Sequence, residues 1–429
     1  MRRLGPALEV RDFQLWWLSV LLMWVSLQML EVAIGWEVYA QHGSALDLGW
    51  IGLAEFVPMF VLALPAGHIA DRLPRRLVFA GSLLIGAGVG VGLALVSGSG
   101  TTAVAPYLAL AVGAGVSMAL GTPAARALPP TLVGPELLQS AMTLRAIATQ
   151  TGQVVGPALG GLLYGLSPSL VYLLAAGSCV AAAAFVMAMR PARAADVPVA
   201  GEDAAREEAD VHHVLEGLRF VRHTQILLGA ILLDLLAVLF GGAVALLPIF
   251  ARSILHVGAT GLGVLRAAPA VGALLAAALI TRRPIAGRAG RVLLTVVFLY
   301  GASMVVFGLS RWFPLSLLAL GVSGFVDLYS MNIRSTTVAL ATPDRLRGRV
   351  NAVEMVFISA SNQLGYFESG LAAALVGTVP AVVGGGVMTM LIGVSWRRLF
   401  PALADVDRLE TLRPASERAR ADEPVYANT

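Results

Sequence analysis

Lysine is absent from this chain, cysteine occurs once, and only 13% of its 429 residues carry charge. Each scarcity excludes something. With Cys179 alone there is no intrachain disulfide; it lies in an apolar run and reads as inert packing. Charge at about half the roughly 25% of soluble domains would leave large apolar patches facing water, so the expected medium is lipid. All 30 cationic residues are arginine, scattered among short links rather than gathered on one module. Nucleic-acid binding is therefore set aside despite a pI near 9.6. No Walker-type phosphate loop, H-E-x-x-H or G-x-S-x-G occurs, so nothing supports ATP-driven transport or hydrolysis. An enzyme is not expected, nor a cofactor or metal site.

What the chain does have is apolar length. Hydrophobic residues make up 57% of it and mean hydropathy is +0.79. A bilayer helix needs about 20 apolar residues. Twelve such segments are predicted, at roughly 13–40, 48–71, 76–97, 102–125, 137–166, 168–190, 224–252, 259–281, 291–310, 313–339, 349–377 and 379–400. Arg2, Arg3 and Arg11 precede the first run, which is too long for a signal-peptide core and is read as a span. One polar stretch, 191–222, interrupts the pattern. Its middle reads as flexible and its end as an amphipathic surface helix; His212 and His213 within it are read as solvated. The expected organisation is a six-helix half over 1–190, a linker over 191–222, a second six-helix half over 223–402 and a disordered tail over 403–429.

Arginine placement orients the chain. Twenty-five arginines fall in the tails, links and span ends on the N-terminal side; only Arg252 and Arg311 fall opposite, and Arg145, Arg266 and Arg334 lie within spans. Cationic links stay in the cytoplasm, so both termini are expected there, which demands an even number of spans. The halves also echo each other. Shifted by 208 residues, Arg126 meets Arg334, Pro135 meets Pro343 and Glu136 meets Asp344. Shifted by 211, Gly52 meets Gly263, Glu55 meets Arg266 and Pro58 meets Pro269.

Two motifs carry a family resemblance. In the link after span two, Gly67, Asp71, Arg72, Arg75 and Arg76 resemble the loop signature of the major facilitator superfamily, G-x-x-x-D-R-x-G-R-R, with Pro74 in place of its glycine. Asp71 suits charge-assisted hydrogen bonds or a helix N-terminus. In the family this loop latches the halves together in the outward-facing state. In span five, Gly152, Gly156, Pro157, Gly160 and Gly161 resemble the antiporter motif of major facilitator exporters, with Thr143 where that motif begins on glycine. Glycines four apart also strip one helix face for close packing, and Pro157 can kink it. The stretches "VAIGWEVYAQHGSALDLGWIGLAEFVP", "LRAAPAVGALL" and "ATPDRLRGRVNAV" are similar to the exporter branch that includes siderophore and macrolide efflux proteins. The resemblance spans nearly the whole chain. It implies an all-α membrane fold of twelve helices in two pseudo-symmetric bundles, working by alternating access.

Ionisable groups inside spans are functional candidates by default. These are Glu31, Glu55, Asp234, Asp327, Arg145, Arg266 and Glu368, with Tyr366 as the aromatic suited to a cavity wall. Arg145, Arg266, Asp327 and Arg334 read equally as sites or as structural pins. Glu31 and Asp234 are the expected proton-coupling residues: each lies well inside the first span of its half. Glu37 and Glu354 lie near span ends and are read as solvated, and Trp16, Trp17, Trp36, Trp50 and Trp312 as interface anchors. The leading reading is a monomeric exporter in the cytoplasmic membrane, exchanging a small amphiphilic molecule for protons. The alternatives are an uptake symporter of the same fold and a non-transporting membrane scaffold or sensor.

Overall fold

The computed structural model describes residues 5–62, 73–190, 216–283, 287–408 and 412. Twelve long helices run through these residues. They are α1 (Arg11–His42), α2 (Ala45–Val61), α3 (Arg75–Gly98), α4 (Ala105–Ala127), α5 (Leu138–Leu166), α6 (Pro168–Ala188), α7 (Gln225–Gly241), α8 (Gly258–Arg282), α9 (Ala289–Leu309), α10 (Phe313–Ala341), α11 (Arg347–Val376) and α12 (Thr378–Leu399). In lipid the backbone has no water to bond, so helices are the expected solution. No strand occurs among the described residues.

Nine spans among the described residues are both long and apolar enough to cross a bilayer. The remaining three helices, α2, α5 and α11, complete the predicted twelve. The described part of α2 has 17 residues, while α5 and α11 reach 29 and 30 residues. α2 falls short in its described length, while α5 and α11 are long but carry more polar residues. All three lie, with α8, on the seam between the halves. The lipid face is plain on seam and non-seam helices alike: Leu95 of α3, Leu166 of α5 and Leu375 of α11 are at least 70% exposed.

Helix ends are closed by local chemistry. Gly43, at φ 66°, ends α1 in the left-handed region, and the Ser44 hydroxyl accepts from Asp47 N at 3.2 Å to start α2. Arg75 Nη1 donates to Ala127 O at 3.3 Å and Arg76 Nη1 to Met189 O, so arginines of the loop motif satisfy carbonyls at the ends of α4 and α6. Gly67, Asp71 and Arg72 of that motif lie outside the described residues, as do 191–215 of the linker and 413–429 of the tail. The amphipathic linker end is helical over 216–223.

α7 is broken. Past Gly241 the chain makes a 3₁₀ turn (Ala243–Leu246), a short helix containing Pro248 and a π turn (Phe250–Ile254). The carbonyls freed at the break are satisfied: Ser369 Oγ donates to Gly242 O at 2.8 Å and Tyr300 OH to Gly241 O at 3.3 Å.

Helices α1–α6 pack on one another, as do α7–α12, and the halves meet through α5 against α8 and α2 against α11. Near the termini each half has its own core, around Phe13, Phe79 and Leu144 in one and Leu227, Leu293 and Trp396 in the other. At the opposite end, Val32, Tyr39 and Leu48 of the first half join Leu247, Phe250 and Leu262 of the second in a single core. The halves are therefore closed together at the end away from the termini. A topology test follows. In a Cys179→Ser background, cysteines placed at Ser99 and Arg219 should react with an impermeant reagent from opposite sides of the membrane. Reaction of both from one side would contradict twelve crossings.

Candidate functional site

The glycine motif of α5 serves two partners. A Cβ at Gly152 would fall 2.5 Å from Trp24 Cβ, one at Gly156 2.6 Å from Gln28 Cβ, and one at Gly160 2.9 Å from Met29 Cα, so this stripe seats α1. One residue round the helix, Pro157 and Gly161 face α8. A Cβ at Gly161 would lie 2.9 Å from Gly263 Cα, and one at Gly263 3.1 Å from Gly161 Cα. On the symmetry-related seam, a Cβ at Gly52 of α2 would meet Tyr366 Cβ of α11 at 2.8 Å, and Trp50 and Phe367 rings stand 5.2 Å apart.

That seam brings four candidates together. Arg266 Nη2 donates to Glu31 Oε2, an ion pair between α1 and α8 across the halves, with side chains 11% and 22% exposed. Glu55 and Tyr366 line the same cavity with them; its volume is about 50 Å³. That is room for a few water molecules and not for a drug-sized solute. From helix ends 8 to 11 residues away, these groups lie about 12–16 Å deep, near the middle of an apolar layer about 30 Å thick. Glu55 makes no hydrogen bond or ion pair with any described residue. One turn along α1 from Glu31, Gln28 Oε1 is buried and has no hydrogen-bond partner among the described residues. Sequence reasoning passed over it because glutamine in a span carries no charge to draw attention.

A second cluster forms inside the C-terminal half. Arg334 Nη1 of α10 pairs with Asp234 Oδ1 of α7, side chains 10% and 13% exposed. Asp327 and Tyr300 line a cavity of about 10 Å³ beside them. Arg334 thus finds its partner on another helix rather than in Asp327 two turns away. Glu368 stands apart, with Ser369 at the break in α7, lining a cavity of about 10 Å³. Arg145 is half-buried near Arg126 of α4 and makes no ion pair among the described residues.

Two expectations are corrected. Glu37 is 3% exposed, not solvated. Its carboxylate accepts from Tyr107 OH at 2.9 Å, Tyr172 OH at 2.5 Å and Gln41 Nε2 at 3.3 Å. These tyrosines sit 70 and 135 residues away, which is why a reading along α1 alone missed them. Trp16 is fully buried and its Nε1 donates to Ala125 O at 3.1 Å; it packs α1 on α4 instead of anchoring at an interface. Trp50 and Trp312 are exposed, as interface anchors require. Replacing Glu37 with Gln keeps the shape but turns an amide N–H donor toward one of the hydroxyl donors. It should lower stability by about 1–3 kcal/mol. A melting temperature in detergent equal to that of the wild type would contradict this.

The comparisons agree with this architecture. The profile of the transmembrane secretion effector family, a branch of the major facilitator superfamily, matches residues 4–419. The chain belongs to this family. It is a multi-pass membrane transporter, and its relatives are transporters rather than enzymes. It is similar to the enterobactin exporter EntS of Shigella boydii serotype 18, at 25% identity over 381 residues, covering 86% of this chain and 87% of that protein. EntS of Citrobacter koseri is 26% identical over 388 residues, covering 86% and 89%. Among solved structures, a POT family transporter in complex with a thioalcohol-conjugated peptide superposes with a TM-score of 0.73 at 12% identity, covering 92% of this chain and 96% of that one. That likeness shows the fold: this major facilitator has twelve helices in two pseudo-symmetric bundles.

Proposed function

We propose that this major facilitator exports a small amphiphilic molecule from the cytoplasm in exchange for protons. The observation that carries the proposal is the Glu31–Arg266 ion pair, which joins α1 to α8 across the two halves at mid-membrane depth. A group that bridges the halves there must break its bond whenever the far end opens, so it is placed to link charge to alternating access. Both termini are cytoplasmic, and the conformation described is inward-facing. The halves are 1–190 and 223–402, with 191–222 as linker and 403–429 as tail. The chain works as a monomer in the cytoplasmic membrane. Gly67, Asp71, Arg72, Arg75 and Arg76 form the switch loop, and Gly152, Gly156, Pro157, Gly160 and Gly161 the antiporter-like motif. Two carboxylate–arginine clusters couple protons to movement: Glu31 with Arg266, Glu55 and Tyr366, and Asp234 with Arg334 and Asp327. Glu368 and Arg145 are accessory polar contacts. The relatives named as enterobactin exporters support the outward direction.

The test is a panel of drugs and siderophores, enterobactin included, in a host lacking its own efflux systems. Expression should lower accumulation of at least one compound, and a protonophore should erase the difference. Glu31→Gln and Asp234→Asn should abolish uphill export and leave downhill movement. Raised accumulation, or export indifferent to the protonophore, would sink the proposal.

A further inference from the structure

At the terminus-side end of the C-terminal half, four arginines stand exposed around the start of α9 and the end of α12: Arg288, Arg291, Arg397 and Arg398. None of their side chains makes a hydrogen bond or ion pair among the described residues. The N-terminal half uses its arginines at the matching rim differently. At the start of α3, Arg75 and Arg76 donate to the carbonyls of Ala127 and Met189. Retention on one side of the membrane asks only for charge in a link. Two of the C-terminal four are placed more narrowly. Arg291 continues the lipid-facing stripe of α9 through Leu299 and Val306, and Arg398 that of α12 through Leu391 and Val394; these apolar residues are 43% to 63% exposed. The two helices run antiparallel. A Cβ at Gly393 of α12 would meet α9 3.3 Å from Leu294 O and 3.2 Å from Phe298 N. Five residues further on, that register sets Arg398 level with Arg291. Past α12 the chain turns back under α9 as a strap. Ala289 N donates to Asp407 O and Gly290 N to Val406 O, and Arg288 N to Asp407 Oδ1, each at 2.9 Å. The N–H groups that open α9 are therefore taken, so any anion here is left to the side chains. The strap sets two exposed carboxylates, Asp405 and Asp407, against four guanidiniums, a surplus of two positive charges beside the apolar stripes.

We infer that this corner of the C-terminal half is a binding site for one anionic phospholipid, with its phosphodiester between Arg291 and Arg398 and its acyl chains along the paired stripes of α9 and α12. A guanidinium presents a planar fork that holds two phosphate oxygens at once. The helix ends put both forks at the depth of the lipid headgroups, and the acyl chains continue where leucine and valine already face the bilayer. A zwitterionic lipid brings its own ammonium to the same place and gains less from the surplus charge. A soluble phosphate finds the forks but not the apolar stripes. Neither α9 nor α12 belongs to the seam, where α5 meets α8 and α2 meets α11. The site therefore keeps its shape as the halves move, and the lipid travels with the C-terminal half, bracing the two helices that the strap joins.

The test uses the purified full-length protein in neutral detergent. Phosphatidylglycerol, phosphatidylcholine and glycerol 1-phosphate are the probes, read by native mass spectrometry and thermal shift. Phosphatidylglycerol should give one tightly held molecule per chain, bind about tenfold more tightly than phosphatidylcholine or better, and raise the melting temperature. Arg291→Gln/Arg398→Gln should bind it about thirtyfold more weakly, the combined effect of two arginines at a lipid surface. Without lipid its melting temperature should equal that of the wild type, since neither side chain bonds to a described residue. Arg291→Lys/Arg398→Lys keeps the charge; it should retain the preference for phosphatidylglycerol and reports on folding. Arg311→Gln removes the same charge beyond the opposite end of α9 and should bind like the wild type. Equal affinity for the two phospholipids, undiminished binding by the double glutamine variant, or the same loss in Arg311→Gln would overturn the inference. So would glycerol 1-phosphate that competes as well as the phospholipid, because the ligand would then be a soluble phosphate.

Discussion

Gly263→Leu should abolish transport while leaving a folded, membrane-inserted protein. Gly263 of α8 touches Pro157 and Gly161 of α5, and these belong to opposite halves. A leucine there must push the halves apart at the end away from the termini. Overpacking costs about 1–3 kcal/mol. Here the penalty falls on one conformation only, because the seam is closed in the described state and parts when the transporter switches. The population of the closed state should drop roughly 5- to 150-fold, enough to stop the cycle. Each half keeps its own core, so yield and size-exclusion profile should match the wild type. Gly272→Leu is the contrast. A Cβ at Gly272 of α8 would strike the Gly321 carbonyl of α10, inside one half, with Gly321 C at 2.8 Å. That variant should misfold or express poorly. A cysteine at Ser253, whose hydroxyl lies 2.9 Å from Tyr39 OH across the closed end, reads the difference. An impermeant thiol reagent should label it faster in the Gly263→Leu background. Wild-type transport by Gly263→Leu would mean that closure does not run through this seam.

The second large effect is on stability. Arg334→Gln should cost about 3–5 kcal/mol, because it strands a buried carboxylate at Asp234 and leaves Asp327 beside it. Both partners lie within the C-terminal half, on α7 and α10, so every conformation pays. The double variant Arg334→Gln/Asp234→Asn should recover much of the loss, since an uncharged pair of similar size removes the orphan. Arg266→Gln should behave differently. Its pair with Glu31 spans the halves, so the variant should shift the balance between conformations and lower the melting temperature far less. Thermal unfolding of the four proteins in one detergent decides this. Equal melting temperatures for Arg334→Gln and the wild type would show that the pair does not hold the bundle.

These contrasts explain what a linear reading can and cannot reach. Glycines 152, 156 and 160 were legible as a packing stripe, because a spacing of four places them on one helix face whatever surrounds it. That the neighbouring face, Pro157 and Gly161, belongs to the other half was not, since nothing on α5 distinguishes its two partners. The repeat shift of 211 residues aligned Glu55 with Arg266 and Gly52 with Gly263. The structure gives that alignment a meaning: both glycines sit at inter-half contacts, and the two opposite charges share one cavity. Glu37 shows the reverse. Its position near a span end suggested water, yet Tyr107 and Tyr172 reach it from other helices.

By itself the sequence determined the lipid environment and the fold of twelve helices in two pseudo-symmetric bundles. The bilayer enforces these locally: it sets the length of each apolar run, and it penalises charge anywhere but at the ends. The tertiary structure alone decided which carboxylate meets which arginine, which of them is left over, and at which end the halves close. Those outcomes depend on the rotation of each helix about its axis and on contacts between residues as far apart as Glu31 and Arg266, 235 positions along the chain. A helical period of 3.6 residues specifies a face but not the partner that covers it.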